Sequence, residues 1–366
     1  MAAGGRYPVW TVAFPLAGFA LFGVASWLQA DFLSGGLGLA LGVALVVVLM
    51  GAVFSAVHHA EEVAEDTGEP YGTLVLTIAV TVIELALIVS VMLRGTDAPE
   101  LARDTVYAVV MIVCTGLVGV CILFGCLRFR EQSFDVTGAS IYLAVLIVLA
   151  TLTLILPNFT RAAPGPVYST SQLVFVSLAA IALYAVFLYT QTIRHRGYFL
   201  PQASKTSDAA ENPESWSDTF ISGALLVLAV VAVVLLAKKF AAMIDHGLGT
   251  LGAPPATAGV VIALLVLLPE SMAALAAARR NELQKSLNLA LGSSLATIGL
   301  TIPAVAVVNI VLAKPLVLGL ESKEAVLLTT TFAASILTFS TGRTNILYGF
   351  LHLVIFGTFL FLTIVP

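Results

Sequence analysis

Gly72–Leu93 reads GTLVLTIAVTVIELALIVSVML, an apolar run broken by a single charge, Glu84. It is long enough to span a bilayer as a helix, which takes about 20 mostly apolar residues. At about 1.5 Å per residue, Glu84 falls near the middle of that span. A second run, Thr257–Ala278, reads TAGVVIALLVLLPESMAALAAA and carries one acid, Glu270, at a comparable depth. Glu84 and Glu270 lie 186 residues apart, close to half of the 366-residue chain.

Nine further runs of this kind accompany them. In all, the chain predicts eleven spanning helices: Val9–Leu28, Leu33–Val57, Gly72–Leu93, Asp104–Leu127, Ala139–Leu156, Tyr168–Thr190, Thr219–Ala237, Thr257–Ala278, Ser286–Leu312, Glu324–Ser340 and Ile346–Val365. Composition agrees. Hydrophobic residues make up 59% and charged residues only 10%, against about 25% charged in an average soluble domain. Lipid is therefore the solvent and partner of this all-α chain. The net charge of −4 shows no basic excess and argues against nucleic acid. Cys114, Cys121 and Cys126 share one apolar run and read as small packing residues.

The organisation predicted is an N-terminal transmembrane helix (1–30), a five-helix repeat (31–190), an acidic linker (191–218) and a second five-helix repeat (219–366). Two repeats of odd helix number enter the membrane from opposite faces, the inverted plan of many secondary transporters. Each Glu occupies the second helix of its half, so inversion brings the two to matched depth, facing each other. Lys and Arg number 10 on the N-terminal side and 7 on the other, out of 17, which places the N-terminus in the cytoplasm.

Carboxylates in hydrocarbon cost about 2.5–3.5 kcal/mol each on insertion scales. Two that face each other repel, and burial disfavours their charged form. They need protons or a cation, and a site that holds either in turn is suited to cation/proton exchange. A divalent ion matches two negative charges, but calcium takes 6–8 oxygens. Thr77 and Thr81, one and two turns before Glu84, are candidate extra ligands. So are Ser293 and Ser294 of Gly292-Ser293-Ser294, and a carbonyl freed by Pro269. No resident cofactor is expected; the metal ion and the proton are cargo.

These residues carry a resemblance to the cation/proton exchanger branch of the calcium/cation antiporter superfamily, nearest to its ChaA-type calcium/proton antiporters. The matching stretches are Gly68-Glu69-Pro70-Tyr71-Gly72-Thr73-Leu74 leading to Glu84, Leu268-Pro269-Glu270 leading to Gly292-Ser293-Ser294-Leu295, and Phe339-Ser340-Thr341-Gly342-Arg343-Thr344-Asn345 at the start of the last helix. The resemblance implies that Glu84 and Glu270 bind the ion, that ten core helices follow one extra N-terminal helix, and that calcium leaves against protons by alternating access in a bacterial inner membrane. Many members carry Gly-Asn shortly before each acid. Here Val80-Thr81 and Val266-Leu267 stand instead, which leaves sodium and potassium open as substrates.

His58, Glu62, Glu65 and Glu69 recur at helical spacing and predict a short amphipathic helix, either a solvated face or a cation-collecting vestibule. The acidic stretch through Asp208, Glu211, Glu214 and Asp218 reads as a linker. His352 is a candidate proton relay, and Arg343 is expected to open the last helix. Two rival classes make different demands on the chain. A protease would need a His-Glu-x-x-His or Gly-x-Ser-x-Gly motif or paired intramembrane aspartates, and the chain has none. A cation channel with a paired-glutamate site would not drive uptake from a pH gradient alone. Oligomeric state is not legible in the chain.

Overall fold

Apolar runs of this length can satisfy their backbone groups in lipid only by hydrogen bonding within themselves, so they fold as helices. The computed structural model describes residues 7–27, 35–68, 71–92, 99–199, 216–312 and 316–365. Among them, eleven helices fall on the eleven predicted runs. The first three are α1 (Val9–Trp27), α2 (Gly35–Thr67) and α3 (Tyr71–Met92). Then come α4 (Leu101–Phe129), α5 (Val136–Phe159) and α6 (Thr170–Arg194). Beyond the linker lie α7 (Trp216–Leu251), α8 (Ala256–Arg279), α9 (Leu283–Leu312), α10 (Ser322–Phe339) and α11 (Ile346–Ile364). Nine are long and apolar enough to cross a membrane, and α3 contains the shorter apolar helix Leu74–Ser90. The protein is a multi-pass, all-α membrane protein.

Three expectations need correction. The short helix expected around His58 to Glu69 is no separate element: α2 runs unbroken through Thr67. Likewise α7 continues past Ala237 to Leu251. Hydropathy falls at Glu61 and Lys238, but the helix does not, because flanking Ala, Leu and Glu keep helical propensity high. Arg343 does not open the last helix. Arg343–Asn345 forms a short strand, β2, antiparallel to β1 (Glu131–Ser133), with Gln132 opposite Thr344. Gly342, at φ 68°, supplies the left-handed turn before β2, and Asn345 caps α11 by accepting from Leu347 N at 3.0 Å.

Contacts group the chain into two compact units, Met1–Ala98 with Ala210–Ala258, and Pro99–Ala209 with Gly259–Pro366. In the first, α2 packs against α1, α3 and α7. Small residues set the spacing. The Phe14 ring lies directly over Gly51, and a Cβ on Gly72 would stand 2.2 Å from the Ala64 carbonyl oxygen. Outward positions such as Leu37, Val43, Val47 and Phe220 are exposed and apolar, as lipid-facing positions should be.

The second unit is built around α4, whose side chains from Leu101 to Gly119 are all buried. It packs on α9 and α11, and α9 also meets α5 and α6. Gly119 and Gly349 let α4 and α11 approach backbone to backbone: a Cβ on Gly349 would lie 2.8 Å from Leu123 N. Both α4 and α9 carry a π-helical stretch in mid-span, at Ile112–Leu117 and Thr297–Thr301. Such insertions re-aim side chains and concentrate at functional sites. Gln132 of β1 donates to the Ala278 carbonyl at 2.9 Å and to Asn281 Oδ1 at 3.1 Å, fixing the end of α8.

Candidate functional site

Glu84 belongs to the first unit and sits about 20 Å along α3 from Tyr71. It is 1% exposed, beside the buried Ile83, Leu87 and Ile88 on its own helix. Thr77 and Thr81, both half-buried, precede it at helical spacing. The Thr81 hydroxyl donates to the Thr77 carbonyl at 2.8 Å. Its proton is thus occupied within the helix, which leaves the lone pairs of the hydroxyl oxygen as acceptors.

Glu270 belongs to the second unit and lies in α8 directly after Pro269, the proline inside that helix. The residue is half-buried, and its Oε2 is shielded from solvent. Pro269 has no N–H to give the carbonyl of Leu265 one turn back, so an oxygen is available in mid-helix. On α9, Ser293 is half-buried. Ser294 is 0% exposed, and among the described residues its Oγ makes no hydrogen bond. The next turns of the same helix bury Thr297 and Thr301. α4 and α10 add buried hydroxyls at Thr105, Thr115, Thr331, Ser335 and Thr338. Ser and Thr scattered through apolar runs carry no signal by themselves, so reading the sequence did not single these out.

The predicted vestibule is only partly assembled. His58 and Glu62 come together, with His58 Nε2 3.4 Å from Glu62 Oε1. Glu65 is exposed. Glu69 lies outside the described residues, as do Asp208, Glu211 and Glu214 of the linker. Glu62 and Asp66 turn toward α7, where Ser222 donates to Glu62 Oε2 at 3.0 Å and Thr219 to Asp66 Oδ2 at 2.8 Å. His59, outside the predicted set, is 0% exposed and lies 3.1 Å from Glu62 through Nδ1. His352 is fully buried, with Nε2 3.0 Å from Thr338 Oγ1.

One ionic cluster was missed entirely. Arg103, 3% exposed, donates through Nε to Asp104 Oδ1 at 2.8 Å, through Nη1 to the Gly319 carbonyl at 3.2 Å and through Nη2 to Glu100 Oε2 at 3.1 Å. Asp104 and Glu324 are also buried. Together with Asn158, Thr160 and Glu321, Arg103 and Glu100 line a cleft of about 770 Å³. In the sequence these charges look like ordinary helix-end residues, because Gly319 is more than 200 positions from Arg103.

The sequence and fold have relatives. The family described as sodium/calcium exchanger protein matches residues 34–193 and 221–365. A protein of Sinorhizobium fredii named for ionic transport, y4hA, is 46% identical over 288 residues, 78% of each chain. The sodium-potassium/proton antiporter ChaA of Escherichia coli is 36% identical over 291 residues, again 78% of each. Among solved structures, the Ca2+/H+ antiporter protein YfkE superposes with a TM-score of 0.72 at 16% identity, over 97% of this chain and 99% of its own.

Proposed function

Since the chain belongs to the sodium/calcium exchanger family, whose members are cation antiporters rather than enzymes, we propose that it expels calcium in exchange for protons by alternating access, with sodium and potassium as further substrates. The observation that carries this reading is Glu84, a carboxylate 1% exposed in the middle of an apolar helix, together with Glu270, half-buried in the middle of α8. Burying an acid there costs several kcal/mol unless a proton or a cation answers it.

Glu84 and Glu270 take the ion and the proton in turn. When both are ionised their two charges balance a divalent cation; when both are protonated the site is neutral and the cation has no counter-charge. Either loaded state crosses with the carboxylates answered, and the doubly charged empty site does not, which couples the two flows. Thr77, Thr81, Ser293, Ser294 and the Leu265 carbonyl supply further oxygens toward the number calcium needs. The two five-helix halves, 31–190 and 219–366, act as inverted repeats, a symmetry suited to a site that opens to either face in turn. The chain lies in a bacterial inner membrane with its N-terminus in the cytoplasm. The relatives' names support both ion classes: ChaA is named for sodium and potassium, YfkE for calcium.

The test is proton release from acid-loaded inside-out vesicles on addition of calcium, sodium, potassium or magnesium in turn. Calcium should collapse the pH gradient at the lowest concentration. If none of the four ions moves protons, exchange is wrong. If cations pass down their own gradient with no movement of protons, the site conducts rather than exchanges.

A further inference from the structure

Glu62 stands three residues after His59 and four after His58, the two spacings that share one helix face. The structure brings the three side chains together. His58 Nε2 lies 3.4 Å from Glu62 Oε1, His59 Nδ1 lies 3.1 Å from Glu62 Oε2, and one donor atom from each residue lies within 4.8 Å of the others. Ligands held at 2.0–2.2 Å around a tetrahedral zinc ion stand roughly 3.3–3.6 Å apart, and the two imidazole–carboxylate contacts, made to different oxygens of Glu62, fall near that spacing.

A second observation points to a ligand. His59 is 0% exposed, and His58 Nε2 is shielded from solvent with no well-aligned hydrogen bond among the described residues, its 3.4 Å contact with Glu62 Oε1 included. Buried imidazole nitrogens ordinarily find partners. Tyr7 and Trp10 wall the pair, with ring centroids 6.2 Å from His59 and 5.5 Å from His58, which limits how the imidazoles can turn. Ser222 of α7 donates to Glu62 Oε2 at 3.0 Å and orients the carboxylate, as outer partners of metal ligands do.

We infer that His58, His59 and Glu62 form a binding site for a zinc-class divalent ion, separate from the site of the transported cation. Two imidazoles and one carboxylate favour zinc, cobalt or nickel over calcium or magnesium, which prefer oxygen throughout. The separation follows from packing. Gly72 lies against Ala64, so Glu62 is level with the first turn of α3. Glu84 is then about three turns further on, on the order of 18 Å away. An ion here would hold Glu62, and through Ser222 the adjoining turn of α7, in one arrangement. The site would therefore set the α2–α7 contact and leave the cargo path untouched.

Cobalt(II) is the probe, titrated into the purified full-length protein in detergent and followed by visible absorption. One equivalent should bind with the intense bands of a four- or five-coordinate ion. His58→Gln, His59→Ala and Glu62→Gln should each weaken binding at least about tenfold, the lower limit for loss of even an outer-shell partner. Glu84→Gln should leave the titration unchanged. His58 is the more exposed imidazole, so H58Q keeps the test valid if H59A fails to fold. Weak octahedral bands only, equal affinity in wild type and H58Q, or loss of the bands in Glu84→Gln would each overturn the assignment. None of these results depends on whether the protein exchanges calcium.

Discussion

Glu84→Gln replaces one oxygen by an NH2 group at a position 1% exposed, so size and packing hardly change. What changes is charge. An amide is cheaper to bury than an acid that costs about 2.5–3.5 kcal/mol in mid-membrane, so the thermal midpoint in detergent should hold or rise. The cation, in contrast, loses one of the two charges that answer it. Removing one partner from a buried ion pair costs about 3–5 kcal/mol, equivalent to roughly a hundredfold to a few thousandfold weaker binding. The amide also releases no exchangeable proton, so coupling fails even where a cation still binds. In proteoliposomes with an imposed pH gradient, calcium uptake by the variant should drop to background at concentrations that saturate wild type. Glu270→Gln should behave alike, since the mechanism needs both acids. Folded Glu84→Gln protein retaining more than about a tenth of wild-type uptake would refute the reasoning, because no residual binding of that size is compatible with losing a buried counter-charge.

Other consequences can be measured separately. Exchange should accelerate from pH 6 to pH 9, since the carboxylates must release protons before a cation enters; a flat profile counts against their titration as the coupling step. Arg103→Ala should destabilise the protein by about 3–5 kcal/mol, leaving Asp104 buried without its counter-ion, whereas Arg103→Met with Asp104→Leu should recover part of the loss, Glu324 still lacking the neighbouring charge. Equal thermal stability of R103A and wild type would show that the cluster is solvated. Gly72→Ala should separate α2 from α3, because the new methyl meets the Ala64 backbone, and cost about 1–3 kcal/mol; Gly249→Ala, with open space around it, is the neutral control in the same unfolding assay.

Much of the architecture was legible from hydropathy because a span in lipid is decided locally. Each backbone group must bond within its own segment, so Val9–Trp27 or Ile346–Ile364 can be recognised without knowledge of any neighbour. The same local logic exposed Glu84 and Glu270, since an acid inside such a segment is conspicuous wherever the helix packs. It failed where helices leave the hydrocarbon. The ends of α2 and α7 carry polar residues at helical spacing, and a hydropathy reading stops short of both.

Composition and the length of the apolar runs by themselves therefore determined the membrane solvent, the number and order of the helices and the two acids in mid-span. Tertiary structure alone decided that Arg103 is answered by Gly319, that β1 pairs with β2, and that Ser222 of a distant helix reaches Glu62. It also decided that each compact unit draws helices from both halves of the chain. The physical reason is range. Transfer into lipid acts on one segment at a time, whereas a hydrogen bond between distant helices or a two-strand ladder exists only once segments far apart in sequence have packed.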